Sequence, residues 1–149
     1  MKIKIKNLIE IENNKLFKAV GAFDSKSLEN FINLCSLSIK AIKNGNKIIF
    51  YGNGGSASDS QHLAAELVVR YQKNRQAISS MALSSDNSMI TATANDFHFK
   101  KIFSRQLESI GRKGDICIAL TTSGNSENLI EAAKVSKKKR NFDFLFFWK

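Results

Sequence analysis

The chain predicts an α/β fold, a three-layer sandwich in which a parallel β-sheet is flanked by helices on both faces and preceded by an N-terminal helical segment. Three observations carry this expectation. Short apolar runs at Lys47–Tyr51, Ala77–Leu83 and Asp115–Leu120 have the length of buried strands. Stretches with helical spacing, about a dozen residues each, separate them, which implies right-handed crossovers and parallel pairing. Two Gly/Ser-rich loops, Gly52-Asn53-Gly54-Gly55-Ser56-Ala57-Ser58-Asp59 and Thr121-Thr122-Ser123-Gly124-Asn125-Ser126, follow the first and third runs and open helical patterns.

Taken in order, residues 1–44 form the helical segment. Helical spacing runs from about Asn14 to Lys43, through Leu16, Val20 and Phe23 and then Leu28, Phe31, Ile32, Leu34, Cys35, Leu37, Ile39 and Ile42. Asp24 or Ser25 can cap its second helix, and Gly45 falls where a C-terminal cap belongs. The α/β core spans residues 45–139. After the first strand and loop, Ser56–Tyr71 reads as a helix with Leu63, Leu67 and Val68 on its apolar side. The Ala77–Leu83 strand is weakened by two serines. Ser88–Ala94 predicts a short helix and Phe97–Ile110 a longer one, with Phe99, Ile102, Phe103, Leu107 and Ile110 facing inward and Gly111 ending it. A strand at 115–120, the second loop and a helix from Ser126 to about Lys137 complete the core. The last ten residues, 140–149, are a divergent aromatic tail whose apolar run from Phe142 to Trp148 predicts one more strand.

Composition bounds the function. With 149 residues and 43% hydrophobic content, the chain suits one domain with its own core. There is no apolar run of membrane-spanning length, and Met1-Lys2-Ile3-Lys4-Ile5-Lys6 has no signal-peptide character, so a cytoplasmic protein is expected, with no membrane partner. Cys35 and Cys117 have no metal-ligand spacing and read as buried, reduced thiols. The net charge of +10 sits at the ends: residues 1–18 hold five basic and two acidic side chains, residues 134–149 six and one. The nearly neutral body argues against a nucleic-acid face.

The loops carry the chemistry. Backbone N–H groups at a helix start, with the positive end of the helix dipole, attract an anion, and glycines let the backbone approach it. Serine and threonine hydroxyls add rotatable donors. In a parallel sheet both loops lie at the carboxyl ends of strands, so they can share one phosphate-bearing ligand. Just beyond the first loop, His62 and Glu66 stand four residues apart on one helix face. Such a pair is an ordinary solvated surface, two ligands of a divalent metal, or a base aimed at a substrate proton. Arg70, one turn further, suits either an acidic ligand or the helix dipole. Asp96, in Asn95-Asp96, reads as a cap for the next helix or as a hydroxyl-binding group. His98 reads as structural or exposed.

The run Gly52-Asn53-Gly54-Gly55-Ser56-Ala57-x-Asp59-x-Gln61-His62-x-Ala64-Ala65-Glu66-Leu67, with Ala94-Asn95-Asp96 and Thr122-Ser123-Gly124-Asn125-Ser126, resembles the phosphoheptose isomerases of the sugar isomerase (SIS) family over roughly residues 10–137. The resemblance implies a flavodoxin-like SIS domain and an aldose–ketose isomerase. Such enzymes convert sedoheptulose 7-phosphate to D-glycero-D-manno-heptose 7-phosphate through an enediol, for bacterial surface heptose. It further implies a homotetramer and one zinc per subunit. By motif, Asn53, Gly54, Gly55, Ser56, Asn95 and Asp96 line the substrate, and Thr121, Thr122, Ser123 and Ser126 grip its phosphate. His62 and Glu66 are metal ligands, and Glu66 is also substrate-binding and the catalytic acid/base.

The family continues past the second loop's helix with a strand, a Gly-rich loop and a helix bearing a glutamine and a histidine that complete the zinc site. Here Lys137-Lys138-Lys139-Arg140 is followed only by the aromatic tail. The expectation is therefore a C-terminally incomplete SIS domain, arising from a frameshift in an A-rich tract, with an incomplete zinc site and reduced turnover. A non-catalytic, sugar-phosphate-binding SIS regulator is the competing class. The His62/Glu66 pair favours the enzyme, since pure binding has no need of it.

Overall fold

The computed structural model describes residues 2–22 and 24–147, with backbone alone at residues 2, 3 and 142–147. Phe23, assigned above to the helical spacing, and Trp148, assigned to the last strand, lie outside the described residues. The chain separates into two compact units, Met1–Ser36 and Leu37–Lys149.

Helix α1 spans Lys2–Gly21 and helix α2 Ser25–Lys43. Helix α1 begins well before Asn14 because its first turns are built of Lys, Ile, Leu and Glu without Gly or Pro, all compatible with a helix even where the apolar positions alternate. Asp24 caps α2: its carboxylate accepts from the Ser27 amide at 2.7 Å. Hydrogen bonding from the Ser27 side chain and then from its amide, which favours the charged form, holds the Asp24 pKa below its usual value. Cys35, expected to be buried, is exposed, whereas Cys117 is buried.

At the end of α2 the Gly45 amide donates to the Ile42 carbonyl and the Asn46 amide to that of Ala41, a Schellman closure. It needs the left-handed φ of 77° that Gly45 adopts. The chain then enters strand β1, Ile48–Gly52, followed by α3 (Gly55–Val68), β2 (Ser80–Ala82), α4 (Asn87–Asp96), a 3₁₀ turn at Phe99–Lys101, α5 (Ser104–Ile110), β3 (Ile116–Thr121), α6 (Glu127–Lys138) and β4 (Phe142–Phe147). The four strands are ordered β2-β1-β3-β4 and all neighbours run parallel. β1 is buried along its whole length and β3 nearly so, the pattern of strands covered on both faces.

Alternation puts Ile49 and Tyr51 of β1 on the same face as Cys117 and Ala119 of β3. They join Leu83, Ile102, Phe103, Leu107, Leu129 and Ala132 in one buried cluster, with the Tyr51 and Phe103 rings 5.5 Å apart. Helix α3 packs against β1 and β2, while α5 packs on α6.

Three further expectations change. The 97–110 helix is broken, because Phe97 and Phe99 face solvent while only the Ile102, Phe103 and Leu107 part of the pattern is buried. Helix α4 instead runs on to Asp96, closed by the Phe97 amide on the Thr93 carbonyl, so Asp96 caps no following helix. β2 is also shorter than 77–83, being an edge strand of three residues. The aromatic tail does form a strand: β4 pairs with β3 from Ile116 opposite Phe142 to Thr121 opposite Phe147.

Candidate functional site

The order β2-β1-β3-β4 makes the chain leave β1 to one side and return on the other, so the switch point of the sheet lies between the carboxyl ends of β1 and β3. Both Gly/Ser loops start there. Gly52 and Leu120 are register partners at that edge. A Cβ at Gly52 would stand 2.7 Å from the Ser56 Cβ and 2.8 Å from the Leu120 carbonyl oxygen, so only glycine lets the two strand ends and the first turn of α3 meet.

Between the loops lies a cavity of about 60 Å3 lined by Asn53, Ser56, Leu120, Thr121, Thr122, Ser123, Ser126 and Leu129. Six of those eight side chains are polar, on a scale that suits an anionic group better than a whole sugar. It adjoins a more open groove of about 410 Å3 formed by Asn53, Gly55, Ser56, Asp59 and Thr122.

The helix ends are arranged for such an anion. Helices α2 and α4, whose starts are remote from these loops in sequence, are capped by aspartates: Asp24 as above, and Asp86, which accepts from the Met89 amide at 2.9 Å. The two helices that open at the loops have no side-chain cap bond, at Gly54 for α3 or at Ser126 for α6. The amides of Gly55 and Ser56 in α3 and of Glu127 and Asn128 in α6 lack intrahelical partners by construction, whereas those of Ala57 and Leu129 already donate to the Gly54 and Ser126 carbonyls; the Ser126 hydroxyl is not spent on them. The second loop holds its shape through its own hydroxyls: the Gly124 amide donates to Thr121 Oγ1 at 3.0 Å and the Asn125 amide to Ser123 Oγ at 3.3 Å.

Of the residues singled out in the sequence, Asn53, Ser56, Thr121, Thr122, Ser123 and Ser126 thus come together around one cavity, while Gly55 lines only the adjoining groove and Gly54, exposed, lines neither. His62 and Glu66 do not line it. They lie about two and three turns further along α3, with His62 Nε2 3.7 Å from Glu66 Oε1. The imidazole is 73% exposed, whereas Glu66 Oε2 is buried and has no hydrogen-bond partner. Such an orphaned carboxylate oxygen is costly unless something binds it. Asn95 and Asp96 are exposed at the end of α4, where the Asn95 amide donates to the Asp96 carboxylate at 2.8 Å, and they line neither cavity nor groove. Arg70 donates to Asn74 Oδ1 at 2.6 Å, and His98 is exposed.

Imidazole and carboxylate are the right donor types for zinc, and an unpartnered Oε2 is consistent with a missing ligand. Among the described residues, however, no group of three or more His, Cys, Asp or Glu side chains could hold a metal. His62 and Glu66 therefore supply two donors and not the three that a catalytic zinc site takes from its protein.

Two contributors had no signal in the sequence. Asn128, in the first turn of α6, exchanges two hydrogen bonds with Asn53, at 3.0 and 2.8 Å. Arg75 closes the end of α3, donating to the carbonyls of Glu66 and Leu67 at 2.7 Å each. Both partnerships join positions far apart in the chain or across a loop, so no short motif announces them.

The comparisons with known proteins bear on this arrangement. The family profile for the SIS domain matches residues 13–141. The chain belongs to the SIS domain family. It is 47% identical over 126 residues to the phosphoheptose isomerase of Paramagnetospirillum magneticum, an overlap of 85% of this chain and 64% of that protein. With the phosphoheptose isomerase of Campylobacter concisus it shares 42% identity over 138 residues, 93% of this chain and 70% of the relative. A solved structure of the Neisseria gonorrhoeae phosphoheptose isomerase superposes with a TM-score of 0.88 at 31% identity, over 95% of this chain and 73% of that one. The SIS chain described here thus spans somewhat less than two thirds of the length of the Paramagnetospirillum and Akkermansia muciniphila relatives, 64% and 62%.

Proposed function

We propose that this SIS chain is a phosphoheptose isomerase, an intramolecular aldose–ketose isomerase that converts sedoheptulose 7-phosphate to D-glycero-D-manno-heptose 7-phosphate for bacterial surface heptose. The observation that carries the proposal is the small polar cavity at the β1/β3 switch point, set between two uncapped helix starts and opening onto a larger groove. Its relatives, themselves phosphoheptose isomerases, support the reading.

In this assignment the substrate phosphate sits against Thr121, Thr122, Ser123 and Ser126, and the sugar runs along Asn53, Gly54, Gly55 and Ser56. Asn95, Asp96 and Glu66 bind its far hydroxyls. Glu66 is the acid/base. Its carboxylate takes the proton from C1 of the ketose, the C–H electrons form the C1=C2 bond, and the C2 carbonyl oxygen becomes an enediolate oxyanion that takes the proton of the adjacent O1 hydroxyl. Collapse of the resulting O1 oxyanion to the C1 aldehyde, with return of the Glu66 proton to C2, completes the isomerisation and restores the carboxylate. The unpartnered Oε2 supports this role, since a base needs a lone pair not already engaged.

Zinc, one per subunit, is assigned His62 and Glu66 as two of its donors. The transfer of the proton between C1 and C2 is carried by Glu66 alone. The active assembly is a cytoplasmic homotetramer in which residues 1–149 act as one SIS domain.

A coupled assay on sedoheptulose 7-phosphate tests the proposal, with Glu66→Gln as control. Turnover by the native chain that drops about 10³-fold in the variant, mid-range for loss of a general base, is the expected result. Phosphate binding without turnover by either protein would overturn it in favour of a binding protein.

A further inference from the structure

Nothing in the motifs or in the resemblance gives Asn128 a part, yet it is the side chain that ties the two loops together. It is 2% exposed, in the first turn of α6 directly after the second loop. Its carboxamide and that of Asn53 in the first loop form a closed pair: Asn53 Nδ2 donates to Asn128 Oδ1 at 3.0 Å and Asn128 Nδ2 donates to Asn53 Oδ1 at 2.8 Å. Asn53 lines both the anion cavity and the adjoining groove, and Ser123 and Ser126, which face it across the cavity, belong to the segment that leads into Asn128.

We infer that Asn128 is a positioning residue for substrate binding. Its reciprocal amide pair with Asn53 fixes the gap between the β1 and β3 loops, and so the width of the phosphate cavity. Two planar amides meeting in this way have one mutual orientation that satisfies both donors and both acceptors. The pair therefore fixes distance and rotation together, which a single bond to a flexible side chain does not. Asn128 touches no substrate atom in this scheme, since both its side-chain hydrogen bonds go to Asn53. The inference rests on the assignment of the cavity to a phosphate group.

Inorganic phosphate is the probe, titrated into the full chain by calorimetry, with the thermal midpoint recorded for each protein. Asn128→Ala, and Asn128→Leu to keep the buried volume filled, are each expected to weaken phosphate binding about ten-fold, the scale of one net hydrogen bond. The double change Asn53→Ala/Asn128→Leu is expected to bind no more weakly than Asn53→Ala alone, because Asn128 acts through Asn53. A purely structural residue would lower the midpoint and leave affinity within about two-fold. That outcome, or losses in the two single variants that add up in the double, overturns the inference while the cavity assignment stands. Failure of the unmodified chain to bind phosphate overturns both.

Discussion

At the scale of single residues, the site depends on what is withheld as much as on what is present. Asp86 spends its carboxylate on the Met89 amide, whereas Ser126 makes no cap bond at the equivalent position of α6. The same substitution should therefore act oppositely at the two places. Asp86→Ala is expected to cost about 1 kcal/mol of stability and to leave phosphate affinity unchanged. Ser126→Ala should leave the urea midpoint nearly unmoved and weaken phosphate binding about ten-fold. Paired denaturation and titration curves check both. Gly52 tests packing rather than chemistry. Its missing Cβ is replaced by contacts with Ser56 and the Leu120 carbonyl, two of them backbone oxygens that cannot rotate away. Gly52→Ala is expected to destabilise by about 2 kcal/mol, within the range for overpacking, and a urea midpoint unchanged from that of the native chain would refute this.

At the scale of elements, the anchor of the sheet lies at the edge opposite the loops. Asp115, just before β3, is fully buried and accepts from the Lys47 ammonium at 2.7 Å, the Lys47 amide at 3.1 Å, the Arg112 amide at 2.8 Å and Asn46 Nδ2 at 3.2 Å. Burial pushes its pKa up, but the bonds from Lys47, Arg112 and Asn46 outweigh that and hold it below the ordinary 3.8. A carboxylate whose folded pKa lies below its unfolded value contributes its full stability above the unfolded value and loses it as the pH falls through the folded one. Stability is thus expected to hold near neutral pH and to fall below about pH 4 through this group. Asp115→Ala should cost about 3 kcal/mol at pH 7, because it strands a part-buried lysine and two backbone amides, and should flatten the acid limb. Acid titration of the circular dichroism signal for both proteins decides it. This anchor was not legible in advance, since an Asp before a strand resembles any loop aspartate and its partners Asn46 and Lys47 are almost seventy residues away. The strands and the two loops were legible because each is local: an apolar run, then a glycine turn, then helical spacing. The 97–110 helix was misread because Phe97 and Phe99 keep the helical period while facing solvent, and periodicity alone does not say which apolar side chains are buried.

At the scale of the whole molecule, the polar cavity proposed to hold phosphate is built from two short loops that were visible in the sequence. The pairing of Asn53 with Asn128 and the orphaned Glu66 oxygen needed the fold. Helix α1 also exposes Leu8, Ile9, Ile11, Leu16, Phe17 and Val20 on the single chain. That much apolar surface supports the proposed tetramer, and sedimentation velocity is expected to give a mass four times that of the chain; a monomer at micromolar concentration would remove this support. The net charge of +10 supplies the alternative explanation that any anion-binding result must meet. A cationic protein gains stability from all anions by screening, an effect that grows with ionic strength and does not saturate at one site. A built cavity behaves differently, because binding to the folded state alone stabilises by RT ln(1 + [L]/Kd), about 2.7 kcal/mol at a hundred times Kd. For a chain of this size that corresponds to a rise in Tm of roughly 5–10 °C. At fixed ionic strength, phosphate is expected to raise Tm along this curve with one site per chain, chloride is not, and Ser126→Ala should shift the phosphate curve to higher concentration. Equal shifts from chloride and phosphate would assign the effect to the basic termini, where the charge is concentrated, and not to the cavity between the loops.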